Sequence, residues 1–143
     1  MKSPDDDTFL PHDTVGYALK RAQQAMRLHM DRQLRDIGLS APQYSVMASL
    51  EAEPGASNAR LARRTFVTPQ TMQAMLVKLE QAGLITRTPD ADHGRIQRTE
   101  LTDTGRAALT KAHLAVRQSE QLARDAATPE TIAILTRIAK ALG

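Results

Sequence analysis

Between residues 68 and 81 the chain gathers polar side chains suited to recognition. Thr68, Gln70, Thr71 and Gln73 fall within two helical turns, and Val77 and Lys78 follow one turn later. Wound at about 100° per residue, residues 70–81 put Met72, Met75, Leu76 and Leu79 on one side and Gln70, Gln73, Ala74, Val77 and Gln81 on the other. The first side is a core face. The second is uncharged in a chain with 24% charged residues, where a merely solvated face would carry Lys, Glu or Arg. A glutamine carboxamide can pair bidentately with adenine and a valine can touch a thymine methyl, so this face suits base edges. Thr68 stands at a helix N-terminus, where backbone N–H groups favour phosphate oxygen, and Thr71 and Lys78 flank the reading face.

Arginines surround this segment. Arg60, Arg63 and Arg64 precede it, and Arg60 and Arg64 are candidates for phosphate contact. Arg95 lies one residue past Gly94 in a Pro, Asp and Gly-rich tip, with Arg98 further along and Arg87 on the opposing strand. A tip arginine suits a narrow, electronegative minor groove. A charged edge blunted against aggregation accounts for Arg87 and Arg98 well and for Arg95 less well.

Other chemistries find little support. Cysteine is absent, which excludes disulfides, thiolate zinc sites and thiol redox switching. His12, His29, His93 and His113 form no i, i+4 pair and no His-x-x-Glu cluster, so no metal site is expected. No Gly-x-Ser-x-Gly elbow, phosphate-cradling glycine loop or suggestive carboxylate pair occurs, and neither enzymatic activity nor a cofactor is expected. The acidic start, "MKSPDDDTFLPHD", is no secretory signal, and no run approaches the roughly 18 apolar residues that span a bilayer. The expectation is a soluble, cytoplasmic protein with no membrane partner. Net charge is only +3, but Asp5, Asp6, Asp7 and Asp13 cluster at the start, so the body beyond is more basic than the total. That balance permits a polyanionic partner without demanding one.

The 143 residues suit one mainly α-helical domain. Residues 1–14 read as an acidic, flexible tail. Val15, Leu19, Ala22, Met26, Met30, Leu34 and Ile37 trace one helical stripe ending near Gly38. Ser40 and Gln43 have capping-box spacing at the head of a second helix that Pro54-Gly55 closes. Ser57 can cap a short third helix through Arg64, and Thr68-Pro69 starts a fourth that stops at Gly83. Residues 84–101 read as a β-hairpin. Helical spacing returns after Thr102 through about Ala126, and a last helix begins at Thr128-Pro129-Glu130.

Two helices joined by a three-residue turn, the second opening on a polar tetrad, have the layout of a helix-turn-helix. With the hairpin as a wing, residues 15–105 resemble MarR-type winged helix-turn-helix transcriptional regulators. The likeness is clearest in "SAPQYSVMASL", "LARRTFVTPQTMQAMLVKLEQAGLITR" and "DHGRIQRTELTDTG". It implies a single domain over 15–143. Segments 15–37 and 103–143 would form a dimerisation bundle and 40–102 the winged helix-turn-helix. It also implies a homodimeric repressor that presents two recognition helices to a pseudo-palindromic site on double-stranded DNA, with Arg95 as the wing arginine. Asp92 lies three residues before that arginine where relatives usually have an acid two before it, and Ala74 stands where many carry a basic residue.

Relatives often bind small aromatic anions between the dimerisation helices and the winged domain. By fold position, Arg21, Met26, His29, Tyr44 and Met47 are the candidates to line such an effector cleft here, with core filling the alternative for both methionines. Long apolar stripes on the first and last helices call for a second copy, the alternative being an intramolecular bundle. A rival from another class is a protein-interaction adaptor whose uncharged helix face docks a protein behind a rim of arginines. A small-molecule-binding protein that has lost DNA binding is a third reading.

Overall fold

A computed structural model describes residues 11–143. Most of the acidic tail, residues 1–10, therefore lies outside the described residues. The rest of it is built in: Pro11–Asp13 form a 3-10 turn, and the Thr14 hydroxyl accepts the Tyr17 N–H at 3.1 Å to cap the first helix.

The main elements are helices α1 (Val15–Leu34), α2 (Ala41–Ala52), α3 (Asn58–Thr65), α4 (Pro69–Gln81), α5 (Asp103–Ala126) and α6 (Thr131–Leu142). Strands β1 (Ala56–Ser57), β2 (Ile85–Pro89) and β3 (Gln97–Leu101) complete them. Five of the helices begin where a hydroxyl meets the orphan N–H of the first turn: Thr14, Ser40, Ser57, Thr68 and Thr102 each accept from the residue three ahead. Each such cap contributes about 1 kcal/mol. The capping box at Ser40 and Gln43 is complete, with bonds of 3.2 and 3.0 Å. Asp31 also accepts the Ala41 N–H at 2.6 Å, fastening α1 to the start of α2.

Two boundaries differ from the sequence expectation. β1 reads as loop, because two residues carry no periodicity, yet it pairs antiparallel with β3 to give a three-stranded sheet in the order β1-β3-β2. The last helix begins at Thr131, since Pro129 and Glu130 form a turn in which Thr128 N–H donates to Thr131 Oγ1 at 3.1 Å.

The core lies where α2, α3, α4 and α5 meet the sheet. Leu34, Val46, Met47, Leu50, Leu61, Met72, Leu76, Leu79, Ile85 and Leu109 are fully buried there. Burying one such side chain contributes about 1.5–3 kcal/mol. α4 ends at Gly83 in the left-handed conformation, φ 73°. Gly105 then lets α5 approach the backbone just beyond, because a Cβ there would lie 2.0 Å from the Leu84 carbonyl oxygen. Thr102 fixes this contact: its N–H donates to Leu84 O at 3.1 Å and its hydroxyl to Gly83 O at 2.6 Å. The Leu101-Thr102-x-x-Gly105 pattern thus docks α5 onto the foot of α4.

α1 leans on α5, so part of its stripe is covered within the chain. α6 is different: it buries none of its residues, and Ile132, Ile134, Leu135 and Leu142 are exposed. An intramolecular bundle therefore does not account for its apolar face.

Candidate nucleic-acid interface

α4 stands with its inner face in the core and its outer face in solvent. Met72, Leu76 and Leu79 are buried, whereas Gln70, Gln73, Ala74 and Gln81 are exposed and Val77 is half-buried. Thirteen residues make a rod about 20 Å long, which a major groove roughly 12 Å wide admits. At its head, Thr68 Oγ1 accepts the Thr71 N–H at 3.1 Å and donates its own proton to Thr71 Oγ1 at 3.0 Å.

The arginines are less free than their spacing suggests. Arg60 Nε donates to both oxygens of Glu53, at 2.9 and 3.0 Å, and Arg64 Nη1 donates to the same carboxylate at 3.1 Å. The Arg60 bond, seconded by Arg64, holds the half-buried Glu53 carboxyl below its ordinary pKa. Arg98 pairs with Asp90 at 3.0 Å. Asp90 also accepts the N–H groups of Asp92 and His93, and those bonds, that of Asp92 first and Arg98 next, keep it ionised below the usual carboxylate range. Asp90 thereby ties the wing tip together. Among the described residues Lys78 and Arg95 bond to no protein group, so both are open to a polyanion.

Sequence reasoning missed the setting of Gln73. Its Oε1 accepts from Arg87 Nη1 at 3.2 Å and from Asn58 Nδ2 at 3.3 Å. Arg87 is the least exposed of the paired arginines, its side chain 14% accessible, and it also reaches Glu80 at 3.2 Å. Strand β2 and the first turn of α3 thus meet on one glutamine of α4. No local spacing in the sequence announces that convergence.

A family model described as MarR family matches residues 37–96, from the turn before α2 to the wing tip. The transcriptional repressor Rv2887 of Mycobacterium tuberculosis is 37% identical over 106 residues, covering 74% of this chain and 76% of its own length. The chain belongs to the MarR family. It is a transcriptional regulator and not an enzyme. The structure of Rv2887 in complex with salicylic acid superposes with a TM-score of 0.68 at 33% identity, over 96% of this chain and 98% of that one. The repressor CouR bound to a 23-mer DNA duplex superposes with a TM-score of 0.80 at 29% identity, over 95% and 100%. Both share with this MarR chain the mainly helical architecture with its small antiparallel wing sheet.

A groove of about 540 Å³ opens between α1, α2 and the turn joining α3 to α4. Met26, Arg27 and Met30 line it from α1, Pro42 and Ser45 from α2, and Thr65, Phe66, Val67 and Met75 from the helix-turn-helix. Of the five residues expected to line a cleft, only Met26 is there. Arg21 lies five residues away, about 140° around α1, on a shallow face with Ala18, Ala22 and Ala25. His29 and Tyr44 turn toward α5, bonding Ser119 at 2.6 Å and His113 at 2.8 Å. Burial, and next the charge of Glu51, raises the Tyr44 phenol pKa. Met47 is a core residue with no exposure, because position 47 shares the inward face of α2 with Leu50.

Phe66 at the groove's rim has no counterpart in the sequence expectations. It is 95% exposed and sits in the left-handed region at φ 57°, where a bulky side chain is rare. Its N–H still closes α3 by donating to the Ala62 carbonyl.

Proposed function

We propose that the chain acts as a homodimeric repressor that reads a pseudo-palindromic operator through α4 and responds to a small aromatic acid. The observation that carries the reading is the uncharged outer face of α4, with Gln70, Gln73 and Ala74 exposed behind a hydroxyl-capped N-terminus. Gln70, Gln73 and Val77 face the bases, with Thr71 beside them. Thr68 and Lys78 hold phosphate, and Arg95 enters the flanking minor groove. Arg60, Arg64 and Arg98 reach phosphate only by giving up or sharing Glu53 and Asp90.

The second copy covers the exposed side of α6, together with Leu114 and Leu122 of α5. The effector occupies the groove beside Met26, where Arg27, paired at 3.9 Å with Asp31, supplies a cation for a carboxylate. The salicylic acid complex of Rv2887 supports that class of ligand. Among the described residues no helix is long and apolar enough to cross a membrane; we place the chain in the cytoplasm because its proposed target is operator DNA.

Selection of bound sites from a random duplex library tests the reading. The enriched sequences should be inverted repeats with half-site centres about 34–36 Å apart, and affinity should fall steeply with salt as counterions are released. Failure to retain any duplex, or binding indifferent to salt, would favour a protein-docking adaptor instead.

A further inference from the structure

The bonds around Gln73 define which base it can read. Arginine has five N–H donors and no acceptor, so the Gln73 atom facing Arg87 must be its carbonyl oxygen, and the Asn58 atom facing that oxygen must be its NH2. An amide oxygen has two lone pairs, and Arg87 and Asn58 occupy both. The glutamine–adenine pair needs this oxygen to accept from adenine N6 while the NH2 donates to N7. Here only the donor half remains.

We infer that Gln73 is a donor-only reader, selecting a base edge that offers acceptors and not adenine in particular. In the major groove guanine presents N7 and O6, both acceptors, adenine presents one acceptor beside a donor, and cytosine presents a donor alone. The order at the contacted position is guanine first, adenine and thymine behind it, and cytosine last. Arg87 and Asn58 are positioning residues: neither reads a base, but together they set the hydrogen-bonding polarity of the one that does. Asn58 engages Gln73 through Nδ2 alone, its Oδ1 being bonded to nothing among the described residues.

The inference rests on the proposed DNA reading, and the experiment separates the two. Site selection with the wild type and Gln73→Ala first finds the base pair whose preference relaxes when the side chain is removed. At that pair the wild type should favour guanine over adenine. Asn58→Ala frees one lone pair, and Arg87→Met together with Asn58→Ala frees both. Preference should then move toward adenine by roughly 3- to 10-fold, the worth of one regained hydrogen bond. Thermal unfolding of each variant shows that it is folded, and Asn58→Ala alone carries the test if the Arg87 variant is not. If Gln73→Ala weakens all sequences equally, α4 does not read bases at this residue and the functional proposal is at fault. If one position relaxes but the wild type favours adenine there, or Asn58→Ala leaves the ratio unmoved, donor-only reading is overturned while DNA reading stands.

Discussion

Gly105 provides the sharpest test of how the wing is joined to the helical body, because two physical arguments give opposite signs for Gly105→Ala. Helix propensity alone favours alanine within a helix by up to about 1 kcal/mol. The packing argument opposes it. A Cβ at 105 would lie 2.0 Å from Leu84 O and 3.0 Å from the carbonyl carbon, whereas a carbon normally meets such an oxygen at about 3.3–3.6 Å. The first turn of α5 would have to retreat by more than about 1 Å from a backbone atom that cannot swing aside. Retreat breaks or stretches the Thr102 bonds to Leu84 O and Gly83 O, each worth about 0.5–1.5 kcal/mol, and adds overpacking of about 1–3 kcal/mol. Offset by the propensity gain, Gly105→Ala should destabilise by about 1–5 kcal/mol, centred near 3. For a chain of this size that lowers Tm by roughly 10 °C. Urea unfolding followed by circular dichroism, at one fixed protomer concentration because dimerisation couples to stability, measures it. An alanine variant as stable as the parent, or more stable, would refute the docking argument.

Three further predictions follow from the paired charges and the strained turn. Glu53→Ala should release Arg60 and Arg64 to phosphate. DNA affinity at low salt should rise, and the slope of log K against log salt should steepen by up to about 2 at about 0.9 per new contact; an unchanged slope would show that neither arginine reaches the backbone. Asp90, whose folded pKa is depressed, stabilises the wing tip above its ordinary value of 3.8, and that stabilisation is lost as pH falls through the lower folded value. The amide resonances of Asp92 and His93 should therefore keep their native shifts as pH falls to 3.8 and change only below it, and a transition centred at or above 3.8 would contradict the bonding described. Phe66→Gly should remove a left-handed cost of about 1–2 kcal/mol against about 0.5–1 kcal/mol for added chain freedom, leaving stability unchanged to slightly higher while weakening an aromatic acid in the groove. A clear loss of stability would show that Phe66 is buried in the assembled protein.

What the sequence made legible was local. Ser40, Ser57 and Thr68 each announce a helix because the cap and its N–H lie three residues apart, and α4's two faces follow from 3.6-residue winding alone. What stayed hidden joins distant residues. Glu53 reaches Arg60 and Arg64 across the Pro54-Gly55 turn, and Gln73 is held from α3 and β2 at separations of 15 and 14 residues. The cleft candidates were read by fold position, without the winding of α1 that turns Arg21 away from Met26 or the inward register that takes Met47 into the core. Phe66 escaped notice because an exposed aromatic in a left-handed turn breaks the pattern rules instead of following one.

The pairing of arginines bears on where discrimination comes from. Arg60, Arg64, Arg87 and Arg98 each face a carboxylate, so much of the positive charge beside α4 is neutralised before DNA arrives. Pairs open to solvent are worth only about 0.2–1 kcal/mol, so phosphate can displace Glu53 from Arg60 at small cost, but the released carboxylate then stands beside the polyanion and opposes it. The net electrostatic gain per arginine is smaller than for an unpaired one such as Arg95. Since that sequence-independent term supplies nearly all of non-specific binding, self-pairing lowers affinity for random DNA more than it lowers reading by uncharged groups. In the proposed reading, such an interface leans on Gln70, Gln73 and Val77 for its grip. Under the same proposal Arg87 is a cation withdrawn from the phosphate field that occupies an acceptor site of Gln73 and leaves the amide donors to the DNA.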